Sequence, residues 1–216
     1  GMDYQSAGSV LEDRYIKACQ SVDRTIATED EMRSSWSLCQ DVYMFGGRTA
    51  LRVCHQVMMM ANKKELKRIL DFPCGHGRAL RYLRAAYPDA DIFVSDINEP
   101  GVEFCRTQFG ARPFRSYVEL ENTELTPSMD LIWCGSLLTH LDERRSKLLI
   151  HKFLMPWHRK ASVYSPPMDA FIRVMFRRNS RSWSGAGGTI SCATIIGRDM
   201  VITSIRGGRR RNTACR

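Results

Sequence analysis

With 216 residues, 44% of them hydrophobic and 25% charged, the chain has the length and apolar content of one ordinary α/β-sized domain with its own core. No apolar run reaches membrane-spanning length, and the start lacks the charged, apolar and small-residue succession of a signal peptide. A soluble, cytoplasmic protein with no membrane partner is expected. Gly1 ahead of Met2 reads as a residue left by removal of an expression tag and is set aside.

The eight cysteines (Cys19, Cys39, Cys54, Cys74, Cys105, Cys134, Cys192, Cys215) contain no C-x-x-C pair and no spacing that places four ligands around zinc, so no metal is expected. They read as free, mostly buried thiols. Cys74 could be called reactive, but a small apolar filler is the preferred account.

In chain order, Thr28-Glu29-Asp30-Glu31 has the spacing of a capping box, with the threonine hydroxyl accepting from the third backbone N–H, and marks a helix start. Arg48 to Ala61 then sets Leu51, Cys54 or His55, Met58 and Ala61 on one helical face. Lys63-Lys64 supplies positive charge near the C-terminal end, where the helix dipole favours it. That helix should pack on a sheet, with Met58-Met59-Met60 as flexible filling.

Next comes Ile69-Leu70-Asp71-Phe72-Pro73-Cys74-Gly75-His76-Gly77-Arg78. It is a short apolar strand, a turn in which Gly75 and Gly77 permit close backbone approach, and a helix from Ala79 to Ala86. A second apolar run ends at Asp96. A dinucleotide turn requires G-x-G-x-x-G, the third glycine letting helix and strand pack beneath a pyrophosphate, but Leu80 stands at that position.

This segment resembles motif I of class I S-adenosylmethionine-dependent methyltransferases, in which an acid precedes a glycine-rich turn and a second acid closes the next strand. The resemblance implies a Rossmann-like, doubly wound, mainly parallel sheet with helices on both faces, here behind an N-terminal helical extension. It also implies S-adenosylmethionine as cofactor. Asp71 would face its ammonium group, Asp96 would take the ribose hydroxyls with Ile97 beside it, and Pro73, Cys74, Gly75 and Gly77 would form the turn. Pro73 stands where the family commonly has a glycine and removes a backbone donor. His76 is read as shaping the turn rather than titrating for catalysis.

Ala111 to Ser116 suits the third strand, which by the same resemblance sets Arg115, Ser116 or Tyr117 beside adenine, without the family's usual acid or amide there. Met129 to Leu141 resembles the fourth strand and the loop over the cofactor, with Gly135, Ser136 and Leu137 as contacts. His140 on that loop is the candidate general base, against the plainer reading of a ring that caps the loop. Asp142 and Glu143 would open the next helix. Tyr43, Phe45, Gly46 and Arg48 correspond to a segment that covers the methionine end in related methyltransferases.

The last third differs in character. Residues 151–216 hold 13 Lys and Arg against Asp169 and Asp199, a balance of +11, while the rest of the chain stands at −2. The tail has one leucine, Leu154, and neither glutamate nor glutamine, which is odd for the last strands and helices of such a sheet. Three readings compete. Arg177-Arg178, Arg181 and Arg206-Gly207-Gly208-Arg209-Arg210-Arg211, with Phe176 and Trp183, could contact nucleic acid. A plain solvated basic tail is the second. The third, preferred, is a slip of reading frame near residues 152–155: read one frame over, codons for Pro156 to Ala170 can spell Leu-Ala-Pro-x-Gly-x-x-(Leu/Ile/Val)-Phe-Thr-Thr-His-Gly-Arg. The Pro-Gly turn after the fourth helix of these methyltransferases has that pattern.

Three segments follow: 1–62, N-terminal helical; 63–154, the cofactor-binding Rossmann-like core; and 155–216, basic and atypical, with the last strands missing or irregular. The function expected is S-adenosylmethionine-dependent methyl transfer to a small-molecule acceptor, since there is no Asn-Pro-Pro-Tyr-like motif and no RNA-binding module. The alternatives are an impaired methyltransferase-fold protein that keeps cofactor binding only, or an RNA-directed enzyme using the basic tail. Loss of the last strands would expose the side of the fourth, an edge through which copies could associate.

Overall fold

The structure, a computed structural model, describes residues 4–35, 40–124, 129–158, 183–185, 188–196 and 201–206. Helices α1 (Tyr4–Ser21), α2 (Glu31–Ser35) and α3 (Gln40–Met60) come first. The alternating core follows: β1 (Arg68–Asp71), α4 (Leu80–Ala86), β2 (Asp91–Val94), α5 (Glu99–Phe109), β3 (Arg112–Pro113), β4 (Leu131–Trp133) and α6 (Glu143–His158). Three further strands are β5 (Trp183–Gly185), β6 (Gly188–Ile196) and β7 (Val201–Arg206).

β1 pairs in parallel with β2 on one side and β4 on the other, placing Ile69 opposite both Ile92 and Leu131. Successive residues of these strands enter different cores. Ile69, Leu131 and Trp133 pack with α1, α3, α4 and α5, whereas Leu70, Ile132 and Cys134 pack with Phe72, Leu120 and the α6 residues Leu149, Ile150 and Phe153. Period-two alternation with both faces apolar is the mark of a parallel sheet covered by helices on each side. The first half of the expected doubly wound sheet is present.

The full order is β3-β2-β1-β4-β7-β6-β5. In a doubly wound sheet of order 3-2-1-4-5-6 the strand beside β4 is the next one in the chain. Here it is the last, β7, parallel to β4, with β6 antiparallel to β7 and β5 antiparallel to β6. The late strands thus exist but are irregular in chain order, and β4 is not an edge. Arg177, Arg178, Arg181 and Arg209 to Arg211 lie outside the described residues.

Three local expectations change. Helix α2 begins at Glu31, and its cap is Asp30, whose Oδ1 accepts from Met32 N (2.9 Å), not Thr28. Asp30 is the better choice because its other oxygen also accepts from the buried Tyr43 hydroxyl (2.7 Å). Helix α3 starts at Gln40 rather than Arg48 and runs through Gly46-Gly47. A Cβ on Gly47 would stand 2.0 Å from the Arg78 carbonyl oxygen and 2.7 Å from the Tyr82 ring, so the glycine permits a close crossing of α3 over the turn. That packing outweighs the helix propensity lost at two glycines. The third strand shrinks to Arg112–Pro113, because Pro113 has no N–H to give to the ladder.

Side chains bolt the layers together. Asp130 accepts from Lys63 Nζ (3.0 Å) and from the backbone N–H groups of Lys67 (2.8 Å) and Arg68 (2.9 Å), fixing the start of β1 against β4. Arg81, 1% exposed, donates to the carbonyls of Asp23, Thr25, His76 and Gly77 and ties the N-terminal segment to the glycine turn.

Candidate functional site

The site is built where β1 and β2 end. Gly75 (φ 50°) and Gly77 (φ 74°) adopt left-handed backbone that other L-residues resist. They differ in surroundings. A Cβ on Gly77 would stand 2.7 Å from the Phe109 ring, whereas nothing lies within 4 Å of one on Gly75. Gly77 serves packing; Gly75 leaves backbone open to a ligand. Asp96 fixes the open part: its Oδ2 accepts from Gly75 N (2.8 Å) and its Oδ1 from Asn98 N (3.0 Å). Asn98 caps α5 by accepting from Gly101 N (3.2 Å). Gly101 in turn lies so near the turn that a Cβ there would be 2.5 Å from the Gly75 carbonyl oxygen.

Asp71 closes β1 but lies beneath the turn, 1% exposed, with Oδ2 unpartnered among the described residues. Burial first, and then the neighbouring Asp96 charge, push its carboxyl up to about 8, while the Leu80 N–H and Arg78 pull the other way. At neutral pH it is largely a protonated, neutral acid. The carboxyl expected to face an ammonium group thus lies buried beneath the turn surface.

A hollow of about 500 Å³ opens beside Asp96 between the start of α5 and the residues after β3. Its lining includes Ile97, Val102, Phe114, Arg115 and Ser116. Ile97 is 66% exposed, an apolar side chain left on the rim, and the Ser116 Oγ is buried without a partner among the described residues. The Arg115 guanidinium instead lies over the Tyr117 ring, 5.1 Å from its centroid. Asp96, Ile97 and Ser116 are thus brought together, and Arg115 borders them.

Past β4, Gly135 passes so close to Trp133 that a Cβ would meet Nε1 at 2.8 Å, and Ser136 takes the left-handed conformation (φ 65°). A short 3-10 turn, Leu137–Thr139, follows, and the exposed His140 ends it by donating its backbone N–H to the Leu137 carbonyl (2.9 Å). Asp142 caps α6 through Arg145 N (2.8 Å), as expected of an acid at a helix start.

Cys54, Cys74, Cys105 and Cys134 are buried free thiols. Cys74 is pushed up by its contact with the Cys105 thiol and by burial, which fits filler better than nucleophile. Among the described residues no cluster of His, Cys, Asp or Glu could hold a metal, and no helix is long and apolar enough to cross a membrane.

Of the groups around the turn, Arg81 was not foreseen from the sequence, whereas His76 and Tyr43 were named there. His76 is buried with Nδ1 3.7 Å from Asp30 Oδ1 and Nε2 unpartnered among the described residues. The Tyr43 ring lies under Arg81, 5.3 Å from its Cζ. The spacing of Arg78 at the end of the turn and of Arg81 and Arg84 in α4, among Leu80 and Leu83, was the available signal.

The donor set fits a nucleoside with an amino-acid end better than a dinucleotide. Leu80 is fully buried where a dinucleotide site needs glycine, Gly75 offers open backbone, and Asp96 keeps lone pairs beside a hollow lined by both apolar and charged side chains. Residues 70–153 match the family model described as a methyltransferase domain. No curated protein matches the chain. Among solved structures it is similar to the plantazolicin methyltransferase BpumL in complex with S-adenosylhomocysteine (20% identity, 72% of this chain and 58% of that one, TM-score 0.46). It is also similar to SAM-bound CalS10, an amino pentose methyltransferase from Micromonospora echinaspora (17%, 50% and 48%, 0.42), and to PKMT2 from Rickettsia typhi with AdoHcy (18%, 39% and 18%, 0.33). The chain spans between 18% and 58% of the length of these three proteins.

Proposed function

We propose that this chain is an S-adenosylmethionine-dependent methyltransferase of the cytoplasm that acts on a small-molecule acceptor. The observation that carries the reading is the coupling of Asp96 to Gly75: one carboxylate both shapes the open turn and borders the hollow next to it. The cofactor, when bound, supplies an activated methyl group and its own leaving group. The protein then has to bind, orient and exclude water. Gly75 backbone and Asp96 would hold the amino-acid and ribose portions, and Ile97, Phe114 and Ser116 would enclose the base. His140, exposed after β4, would take a proton from a hydroxyl or ammonium acceptor. Gly135, Ser136 and Leu137 would cover the cofactor from the same side.

The basic tail favours one second reading, an RNA acceptor. Incubation with methyl-labelled cofactor and a cell extract separates the two. Label in the small-molecule fraction is the expected result; ribonuclease-sensitive label in the macromolecular fraction supports RNA; absence of transfer despite cofactor binding leaves a binding-only protein.

A further inference from the structure

Three arginines follow the glycine turn at spacing three, and two are saturated by the protein. Arg81 donates to four backbone carbonyls, and Arg84 donates to those of Pro88, Ala90, Phe109 and Gly110. These two hold structure. Arg78, the residue next to Gly77, is half-buried and makes no hydrogen bond or ion pair among the described residues. Its surroundings are the Tyr43 ring, whose centroid is 6.0 Å from Cζ, and the bare backbone of Gly46. A Cβ on Gly46 would stand 3.3 Å from Arg78 Cδ, 3.4 Å from Nε and 3.6 Å from Cζ, so the missing side chain is what leaves room for the guanidinium. Nearby is the carboxyl of Asp71, which feels the Arg78 charge and which burial pushes up. The result is a planar cation with five donors, directly after the turn, that has no hydrogen-bond or ion-pair partner among the described residues.

We propose that Arg78 binds the carboxylate of the cofactor's amino-acid end. This rests on the reading of the site as one for S-adenosylmethionine. A guanidinium fork matches a carboxylate in bidentate fashion, which a point-charge ammonium does not. Ammonium and carboxylate of an amino acid share one carbon, so a cofactor lying over Gly75 brings its carboxylate within reach of a side chain three residues along. Tyr43 and Gly46 on α3 set the position of that side chain, giving the N-terminal helix a part in cofactor recognition.

The test compares two ligands by calorimetry on the full chain: S-adenosylhomocysteine, and 5′-methylthioadenosine, which lacks the amino-acid end. Arg78→Ala should weaken the first by roughly 10- to 100-fold and leave the second unchanged. Arg78→Lys should recover only part of the loss. Equal weakening of both ligands, or of neither, overturns the assignment, as does a wild-type protein that binds the two equally. A wild-type protein that binds neither ligand sinks the cofactor reading itself. Melting curves of Arg78→Ala and Arg78→Lys, expected to match wild type, separate a binding loss from a folding loss.

Discussion

The β1–β2 side of the sheet and the side beyond β4 are assembled differently. On the first, partners lie within about thirty residues of one another: Asp96 holds Gly75, Asn98 caps α5, Gly101 abuts the turn, and Arg84 gathers the carbonyls at the ends of α4 and α5. On the second, β4 is completed by β7, a strand seventy residues further along, drawn from a segment of different charge and composition. A ligand site made from near neighbours is specified by a short stretch of chain. The two sides still share β1, whose Ile69, Leu70 and Asp71 pair with Leu131, Ile132 and Trp133 of β4.

The largest expected effect comes from breaking the crossing that both halves rest on. Gly47→Ala would drive a methyl into the Arg78 carbonyl and should destabilise the protein by about 3 kcal/mol or more, seen as a fall of roughly 6–12 °C in Tm. Next, on the β4 side, His140→Ala should lower kcat for a hydroxyl or ammonium acceptor by about 100-fold while cofactor Kd stays put; an unchanged kcat would return His140 to a structural role. On the β1–β2 side, Asp96→Ala should weaken S-adenosylhomocysteine by roughly 30-fold, on the order of 2 kcal/mol, since it frees the Gly75 N–H and removes the ribose acceptor.

A further effect is pH-dependent. Asp71 is raised in the fold, to about 8, above its ordinary 3.8. Its stabilising contribution is thus complete below 3.8 and is lost as pH rises through about 8. Wild type should lose Tm between pH 5 and 9 more steeply than Asp71→Asn, whose amide does not titrate. Parallel profiles would mean that Asp71 is ionised in the folded protein.

The turn, Asp96, the short helix after the turn and the strand at 131–133 were legible because periodicity and glycine spacing are local signals. The neutral state of Asp71 was not, since it comes from burial and from a carboxylate on another strand. Nor was the extension of α3 through Gly46-Gly47: propensity argues against a helix there, and only the approach of the Arg78 backbone explains it. The cap passed from Thr28 to Asp30 because the buried Tyr43 hydroxyl, thirteen residues away, adds a second bond. Late-strand order is a matter of long-range pairing, which composition cannot rank. The nucleotides encoding residues 145–170 bear on the tail: codons able to spell Leu-Ala-Pro-x-Gly one frame over would support a frame slip, and codons unable to spell it would end that reading.

The central claim, that the β1–β2 half is a site for an S-adenosyl amino acid, is tested most directly by titrating one preparation with S-adenosylhomocysteine and with NAD. The account predicts saturable binding of the first at one per chain and no competition from the second. NAD binding without any response to S-adenosylhomocysteine would contradict it.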